Sequence, residues 1–345
     1  MEEYTEILKR VWDTSWITNR GAIALELESK LKSRLGVEHL LLMTNGTLPI
    51  QIALKQIAKG KEVITTPFSY VATTSSIVWE GYEPVFVDIE RDHWTIDPTK
   101  IEAAITEDTG AILATHVFGN PCDVEAMEIL SEQYDIPVIY DAAHAYGVNY
   151  KGKSVFAYGD ASTCSFHATK LFHTGEGGAI VTKDQTLFDS VYYSHNFGHD
   201  GYENYHGVGI NAKISELQAA MGLAMLSYMD DVVLGRKRVV DLYNSLLPES
   251  LPRLSLRAGT EWNYCYYPIL MLDDGVVRQV ESALMEVGVK PRRYFYPSLN
   301  TLDYVNRVSM PVSENIASRV LCLPLYFGLE EDSITEIANI VNQHV

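Results

Sequence analysis

Two hydrophobic periods alternate along the chain between about residues 20 and 190. Short continuous apolar runs, typical of buried strands, are HLLLMTN, EVITT, PVFVDI, GAILATHV, PVIYDAA, STCSF and GAIVT. Segments with a helical period lie between them: AIALELESKLKSRLG, TLPIQIALKQIAKG, YVATTSSIVWEG, DPTKIEAAI and VEAMEILSEQYD. Strands that alternate with helices predict crossover units and an open α/β sheet, in which ligands bind at the carboxyl ends of the strands.

The pattern changes after residue 210. The stretch AKISELQAAMGLAMLSYMDDVVLGRKRVVDLYNSLL predicts one long or bent helix that leads away from the sheet. It is followed by a strand, NYCYYPILML, and by two amphipathic helices, GVVRQVESALMEVGV and DSITEIANIVNQHV. We therefore expect a large domain over residues 1–235 and a smaller α+β domain over residues 236–345.

Composition narrows the possible functions. The chain has 345 residues, with 45 acidic against 27 basic side chains and a net charge of −18, which disfavours binding to nucleic acid or to anionic membranes. Four widely separated cysteines indicate neither a disulfide framework nor a zinc site. The acidic start and the lack of an apolar run of about 20 residues predict a soluble cytoplasmic protein.

Candidate chemistry centres on Lys170, in the stretch SFHATKLFHTGEGGAI. A lone lysine is usually solvated, but this one follows a predicted strand and precedes a glycine-bounded turn. Asp141 closes the predicted strand PVIYDAA, where a carboxylate would face the ligand crevice. An amine, a strand-end carboxylate and such a turn suit an enzyme that uses pyridoxal phosphate, and burial would lower the pKa of the amine.

Each of these signals has an alternative when taken alone. The TNGT turn at 44–47 could bind phosphate at a helix N-terminus or simply cap the helix. Asp141 could also bind magnesium or accept a phosphoryl group, although the chain has no GxxxxGK[ST] loop and no GxGxxG motif after the first strand. His144 could contact a ring oxygen or be a satisfied histidine, and His116 is more typical of a structural residue or a pocket wall than of a metal ligand. No HExxH-type pair occurs, so no metal site is expected.

Eight ordered motifs cover nearly the whole chain: NGTLPIQIAL, EVITTPFSYVATTSSI, GYEPVFVDIE, THVFGNP, VIYDAAHAYG, SFHATKLFHTGEGGAIVT, GINAKISELQAAMG and LCLPLYFGL. In them the chain resembles the sugar aminotransferase family often named after DegT and StrS. The resemblance implies the aspartate aminotransferase fold, pyridoxal phosphate fold type I. In that fold a mostly parallel sheet flanked by helices carries a smaller α+β C-terminal domain.

The resemblance also implies roles for individual residues. Lys170 would hold the cofactor covalently, Asp141 would pair with its pyridinium nitrogen, and His144, where many relatives carry glutamine, would contact its phenolic oxygen. Tyr70 would stack on the ring. The phosphate would be bound by Thr47, the Leu48 amide and Ser165 of one subunit and by Asn211 of its neighbour, which implies a homodimer with shared sites. Leu48 and Pro49 stand where relatives commonly have alanine.

The implied reaction is a ping-pong transfer of an amino group from L-glutamate to a nucleotide-linked keto sugar, with Lys170 as acid and base. The SFHATK and EGGAI motifs resemble enzymes that aminate carbon 4 of TDP-4-keto-6-deoxyglucose, such as those of O-antigen or lipopolysaccharide biosynthesis. Amination of a 3-keto sugar or of a UDP-sugar is the alternative within the family. Lys213, Arg292 and Arg293 are candidates to bind the sugar pyrophosphate, or are solvated surface charges.

Two other classes of protein are less favoured. A non-catalytic regulator that binds a sugar nucleotide would not need Lys170 and Asp141, and a metal- or nicotinamide-dependent oxidoreductase would need a phosphate loop that the chain lacks.

Overall fold

The computed structural model describes all 345 residues. Fourteen strands occur in chain order: β1 His39–Met43, β2 Glu62–Thr65, β3 Glu83–Phe86, β4 Thr109–Thr115, β5 Val138–Asp141, β6 Asn149–Tyr150, β7 Lys153–Ser154, β8 Ala161–Ser165, β9 Gly178–Thr182, β10 His199–Asp200, β11 Asn204–Tyr205, β12 Thr260–Glu261, β13 Tyr267–Leu270 and β14 Val320–Leu323. The α-helices are α1 Glu2–Thr14, α2 Ala22–Leu35, α3 Thr47–Ile57, α4 Val71–Trp79, α5 Val124–Tyr134, α6 Gln185–Ser194, α7 Glu216–Leu226, α8 Met229–Leu246, α9 Asp274–Glu286, α10 Pro311–Arg319 and α11 Glu331–Asn342.

The central sheet contains seven strands in the order β1-β9-β8-β5-β4-β2-β3. Four neighbouring pairs are parallel, and β9 runs antiparallel to both of its neighbours. The expectation of a mostly parallel sheet flanked by helices is confirmed. Because β9 reverses direction between them, β1 and β8 point the same way as β5, so their carboxyl ends share one edge.

Both faces of the sheet are covered, which explains why its strands are continuous apolar runs rather than alternating ones. In β1, Leu40 and Leu42 pack in a cluster with α2 and α7, while Leu41 and Met43 pack in a second cluster with α3. A third cluster packs α5 against β2, β4 and β5 on the face opposite to α3. Polar groups therefore concentrate at the strand ends.

The helices differ from the predicted ones in one wrong prediction and three additions. The segment predicted as the helix DPTKIEAAI forms only two 3₁₀ turns, Pro98–Lys100 and Glu102–Ala104, so that prediction is wrong. The helices α1, α6 and α10 were not predicted. The long stretch after residue 210 is bent by 62° between α7 and α8, in agreement with the expectation of one long or bent helix.

The C-terminal part has its own apolar cluster. Val239 and the residues after it in α8 pack with α9, α11 and the antiparallel pair β13 and β14, whereas Val233 packs on the sheet side. Residue 235 lies inside α8, between these two groups, and the division into domains at that point stays a prediction. No single helix is long and apolar enough to cross a membrane; only α7 and α8 taken as a bent pair have the required length and composition.

A buried carboxylate joins α7 to the start of α2. The side chain of Glu216 is 1% exposed, and its two oxygens accept hydrogen bonds from the backbone amides of Gly21 at 2.9 Å, Ile23 at 2.8 Å and Ala24 at 3.2 Å. These are the unpaired N–H groups at a helix N-terminus, which a negative charge also favours through the helix dipole. One side chain thus replaces the missing cap of α2.

We predict that Glu216→Ala lowers the free energy of unfolding by about 1–3 kcal/mol, because buried amides lose their acceptor. Glu216→Gln, which keeps one oxygen, should lose less. Chemical denaturation measures both variants, with the exposed Glu336→Gln as the control. Equal stability of Glu216→Ala and the control would contradict the assigned role.

Candidate active site

A cavity of about 240 Å³ lies at the shared carboxyl edge of β1, β5 and β8. Its floor comes from the turns that follow these strands, and its wall includes Tyr266, Tyr294 and Phe295 from the C-terminal part. Six of the residues predicted from sequence line it together: Thr47, Tyr70, Asp141, His144, Ser165 and Lys170. Residues far apart in the sequence thus meet around one space.

Asp141, the last residue of β5, is 5% exposed and accepts two hydrogen bonds. The Thr73 hydroxyl donates to Oδ2 at 2.6 Å, and the Ala143 amide donates to Oδ1 at 3.1 Å. Burial raises the pKa of Asp141, and the Thr73 hydroxyl, the Ala143 amide and the charge of Lys170 oppose that rise. Both oxygens keep a free lone pair for a further donor.

A row of buried hydroxyls continues behind Thr73. The Thr73 hydroxyl lies 2.7 Å from that of Ser69, which lies 3.0 Å from that of Thr115. Ser69 and Thr115 both line the cavity. The row orients the Thr73 hydroxyl toward the carboxylate, because an oxygen that accepts from Ser69 has its own proton available for Asp141.

Lys170 lies in a tight turn after β8. Its backbone amide donates to the His167 carbonyl at 2.8 Å, and the turn is closed by a bond of 2.7 Å from the Ala168 amide to the Gly175 carbonyl. Burial lowers the pKa of the Lys170 amine, while Asp141 and the thiols of Cys265 and Cys164 work against that shift. The amine is therefore neutral at a lower pH than an ordinary lysine, which favours nucleophilic attack.

His144 lies against the aromatic wall. Its ring is parallel to that of Phe295, with an interplanar angle of 1° and centroids 5.4 Å apart, and its Nδ1 accepts a hydrogen bond of 3.1 Å from the Phe118 amide. Burial, with a smaller effect of the Lys170 charge, holds the pKa of His144 well below its ordinary value. The imidazole is therefore neutral at physiological pH.

The opposite end of the cavity is a helix N-terminus with two hydroxyls, and the Ser165 hydroxyl accepts a hydrogen bond of 3.4 Å from the His167 amide. Gly46 precedes α3 and packs so closely on β8 that an added Cβ would lie 2.6 Å from the Cβ of Ser165. This contact brings the hydroxyls of Thr47 and Ser165 to one place. The Thr47 and Leu48 amides donate to Oδ1 of Asn45, each at 2.9 Å, so the amide of Leu48 is bonded to this side chain.

The other predicted residues lie outside this cavity. Asn211 is exposed and accepts a hydrogen bond of 2.8 Å from the Lys213 ammonium. Arg292 lines an adjoining cavity of about 480 Å³ that Lys170, Tyr266 and Tyr294 also border. The guanidinium of Arg293 is instead held within the C-terminal part, 2.6 Å from Asp274 and 2.8 Å from the Ser318 carbonyl.

Residues 1–342 match the DegT/DnrJ/EryC1/StrS aminotransferase family. The chain belongs to this family. Its relatives include the Escherichia coli protein named dTDP-4-amino-4,6-dideoxy-D-glucose transaminase, which is 38% identical over 99% of this chain and 95% of its own length. The GDP-perosamine synthase of Caulobacter vibrioides is 32% identical over 96% of this chain and 92% of its own length.

Solved structures of similar proteins show the same architecture. The structure of DesI in the presence of its TDP-sugar product superposes with a TM-score of 0.94, at 30% identity, over 99% of this chain and 89% of that one. PseC of Helicobacter pylori, an aminotransferase involved in the biosynthesis of pseudoaminic acid, superposes with a TM-score of 0.90 at 26% identity, over 99% of this chain and 96% of its own. The prediction of an aminotransferase with fold type I is confirmed.

This aminotransferase also has cavity residues that sequence reasoning missed. Thr73, Ser69 and Thr115 form the hydroxyl row, and Tyr266, Tyr294 and Phe295 form the aromatic wall. Ser69 lies just before α4 and Thr73 lies in its first turn, so no helical repeat in the sequence relates the two side chains. Nothing in the sequence pairs either of them with Asp141. No group of three or more histidine, cysteine or acidic side chains is arranged to hold a metal ion.

We predict that Thr73→Val lowers kcat about 10-fold and moves the acidic limb of the pH–rate profile to higher pH. Valine has the shape of threonine but no hydroxyl, so the pKa of Asp141 rises further and the carboxyl is protonated at a higher pH. Thr73→Ser should restore the original limb. Steady-state kinetics between pH 5 and 9 would measure kcat and the position of the acidic limb for each variant.

The neighbouring Thr74 provides the matched control, because its buried hydroxyl has no hydrogen-bond partner. Thr74→Val should leave the profile in place. The role of Thr73 is wrong if both valine variants move the limb equally.

Proposed function

We propose that pyridoxal 5′-phosphate is the cofactor of this aminotransferase. The donor set fits it, because the hydroxyls of Thr47 and Ser165 at the N-terminus of α3 can donate their protons to a phosphate, and a buried carboxylate suits a protonated ring nitrogen. Lys170 would hold the cofactor covalently and Tyr70 would cover one face of its ring. The Leu48 amide, which donates to Oδ1 of Asn45, would donate to the phosphate as well or in place of Asn45.

When bound, the cofactor supplies an aldehyde carbon for the amino group and a ring that withdraws electrons from the carbon beside it. Asp141 would keep the proton on the ring nitrogen, and Thr73 and Ala143 hold the carboxylate in place for this. Lys170, displaced by the donor amine, would take the proton from the amine-bearing carbon. Its lowered pKa suits that role, since a base must be neutral to accept a proton.

The substrates that we propose are L-glutamate and TDP-4-keto-6-deoxy-D-glucose, with TDP-4-amino-4,6-dideoxy-D-glucose as product. The observation that carries this proposal is the similarity to the dTDP-4-amino-4,6-dideoxy-D-glucose transaminases, at 38% and 39% identity over 99% of the chain. The GDP-perosamine synthases are less similar, at 28% to 32% identity. A cytoplasmic location belongs to the same proposal.

Among the predicted cations, Arg292 is best placed to bind the pyrophosphate, because it lines the cavity next to Lys170. Arg293 is less favoured, since its guanidinium already pairs with Asp274. Asn211 and Lys213 are exposed or half-buried, and neither lines the cavity of its own chain. We propose that both serve the site of a second subunit in a homodimer.

The substrate assignment predicts that the purified enzyme with L-glutamate aminates carbon 4 of TDP-4-keto-6-deoxy-D-glucose and releases 2-oxoglutarate. A panel of TDP-, UDP- and GDP-linked 3-keto and 4-keto sugars, with products identified by mass spectrometry and NMR, measures the preference. Lys170→Ala should abolish turnover, whereas Lys183→Ala, at an exposed lysine, should not. Amination only at carbon 3, or only of UDP- or GDP-sugars, would overturn the substrate assignment, and full activity of Lys170→Ala would overturn the mechanism.

Shared sites predict that two impaired variants complement each other. In a hybrid of Lys170→Ala and Asn211→Ala subunits, one site has both Lys170 and the partner's Asn211 intact, so mixing and refolding the two should restore up to half of the activity per hybrid dimer. Lys170→Ala mixed with Asp141→Ala should restore none, because those two residues belong to the same site. Absence of restoration in the first mixture would place Asn211 outside the partner's site.

A further inference from the structure

The two ring nitrogens of His144 have different surroundings. Nδ1 accepts the hydrogen bond from the Phe118 amide, so it carries no proton, and a neutral imidazole must then carry its proton on Nε2. The hydrogen bond to Nδ1 is the only one that the His144 side chain makes within the chain, and His144 lines the main cavity. The ring therefore offers a donor, rather than an acceptor, to a ligand there.

The backbone of Phe118, whose amide donates to Nδ1, adopts an unusual conformation. Phe118 has φ 54° and ψ 24°, in the left-handed region that costs a bulky residue about 1–2 kcal/mol. The indole Nε1 of Trp262 donates to the Phe118 carbonyl at 2.8 Å. The Phe118 ring is also buried, edge-on to Phe68 and parallel to Phe295. These contacts offset the cost and fix the direction of the amide.

Asn263, the residue after Trp262, holds the backbone on the His144 side of the contact between Phe118 and His144. Asn263 is 2% exposed, and its Nδ2 donates to the carbonyls of His144 at 2.8 Å and Tyr146 at 2.9 Å. Its Oδ1 accepts from the Cys265 amide at 3.2 Å. Trp262 and Asn263 thus hold the two peptide segments that form the contact between Phe118 and His144.

Gly119 shows how closely these parts are packed. It has φ 76°, and a Cβ at this position would lie 2.9 Å from Oδ1 of Asn263, 3.1 Å from the His144 carbonyl oxygen and 3.3 Å from Nε1 of Trp262. Any larger residue here would have to move one of them.

We propose that Trp262 and Asn263 are positioning residues that hold the Phe118 amide against Nδ1 of His144 and so keep the imidazole proton on Nε2, where it can be donated to an anionic oxygen in the cavity. The use of that proton rests on the proposed function, in which the oxygen belongs to the cofactor ring. The position of the proton is a property of the chain alone. Trp262→Phe removes the indole donor and keeps an aromatic ring, and Asn263→Ser is a second variant in case the first does not fold.

The proton position is measured by ¹⁵N NMR of histidine-labelled full-length protein, with and without pyridoxal phosphate, and with His144→Gln to assign the signals. In the wild type we expect a pyridine-type Nδ1 and a pyrrole-type Nε2, and in Trp262→Phe or Asn263→Ser a shift of both toward the average of two tautomers. His116 is an internal reference, because the Cys122 amide donates to its Nδ1 at 3.0 Å independently of Trp262 and Asn263. The control Trp79→Phe, at a tryptophan that is 81% exposed, should change neither histidine.

Kinetics separate this role from a merely structural one. Trp262→Phe should lower kcat about 10-fold when His144 is present. In a His144→Gln background the loss should be much smaller, because the side-chain amide of glutamine can donate a hydrogen bond regardless of the position of the Phe118 amide. Equal losses in both backgrounds, a protonated Nδ1 in the wild type, or unchanged nitrogen signals in both variants would overturn the proposal. A protein that aminates no sugar but shows the expected signals keeps the proton assignment and refutes the proposed function instead.

Discussion

Burial of an acid and an amine side by side, Asp141 and Lys170, is the constraint on which the rest of the site depends. For each group burial is the largest influence on its pKa, raising it for the acid and lowering it for the amine. A carboxylate can remain ionised in such a place only if donors surround it, and an amine can attack only if it is neutral. The Thr73 hydroxyl and the Ala143 amide meet the first requirement, and burial of the Lys170 amine meets the second, within one cavity.

The topology of the sheet explains why these groups meet. The sheet is apolar on both faces, so functional side chains can leave the core only where strands end. The single antiparallel strand, β9, lets β1 and β8 keep the direction of β5. The ends of β1, β5 and β8 therefore place the N-terminus of α3, the Asp141 carboxylate and the turn that contains Lys170 at the same edge of the sheet. A change in the direction of β9 would separate the N-terminus of α3 from Lys170.

Much of this architecture could be predicted, because strand-forming runs and the ends of strands are local features. That reasoning predicts Asp141 at the ligand crevice and Lys170 in the turn that follows the next strand. The helix predicted over DPTKIEAAI is wrong although its apolar residues have helical spacing. Only Pro98 and Ile101 are buried there, and these are too few apolar contacts to sustain a helix. Conversely, the sequence carries a clear signal for α1, because Tyr4, Ile7, Leu8 and Val11 stand at helical spacing.

Contacts between distant segments could not be predicted in the same way. Two adjacent arginines, Arg292 and Arg293, have identical chemistry in the sequence, and only the fold directs one to a cavity and the other to Asp274. Likewise, no local pattern shows that Thr73 reaches Asp141. Such pairings depend on the relative position of helices and strands, which hydrophobic period does not determine.

The C-terminal part does more than close the cavity. It supplies Phe295, which lies parallel to the His144 ring, and Asn263, which holds the His144 carbonyl. The ring and the backbone of one histidine are thus each held by a different segment that follows α8. A rotation of the C-terminal part relative to the sheet would therefore disturb the histidine even if Lys170 and Asp141 did not move. Because the hydrogen bonds of Asn263 are buried, breaking them without replacement is costly, and this cost favours movement of His144 together with the C-terminal part.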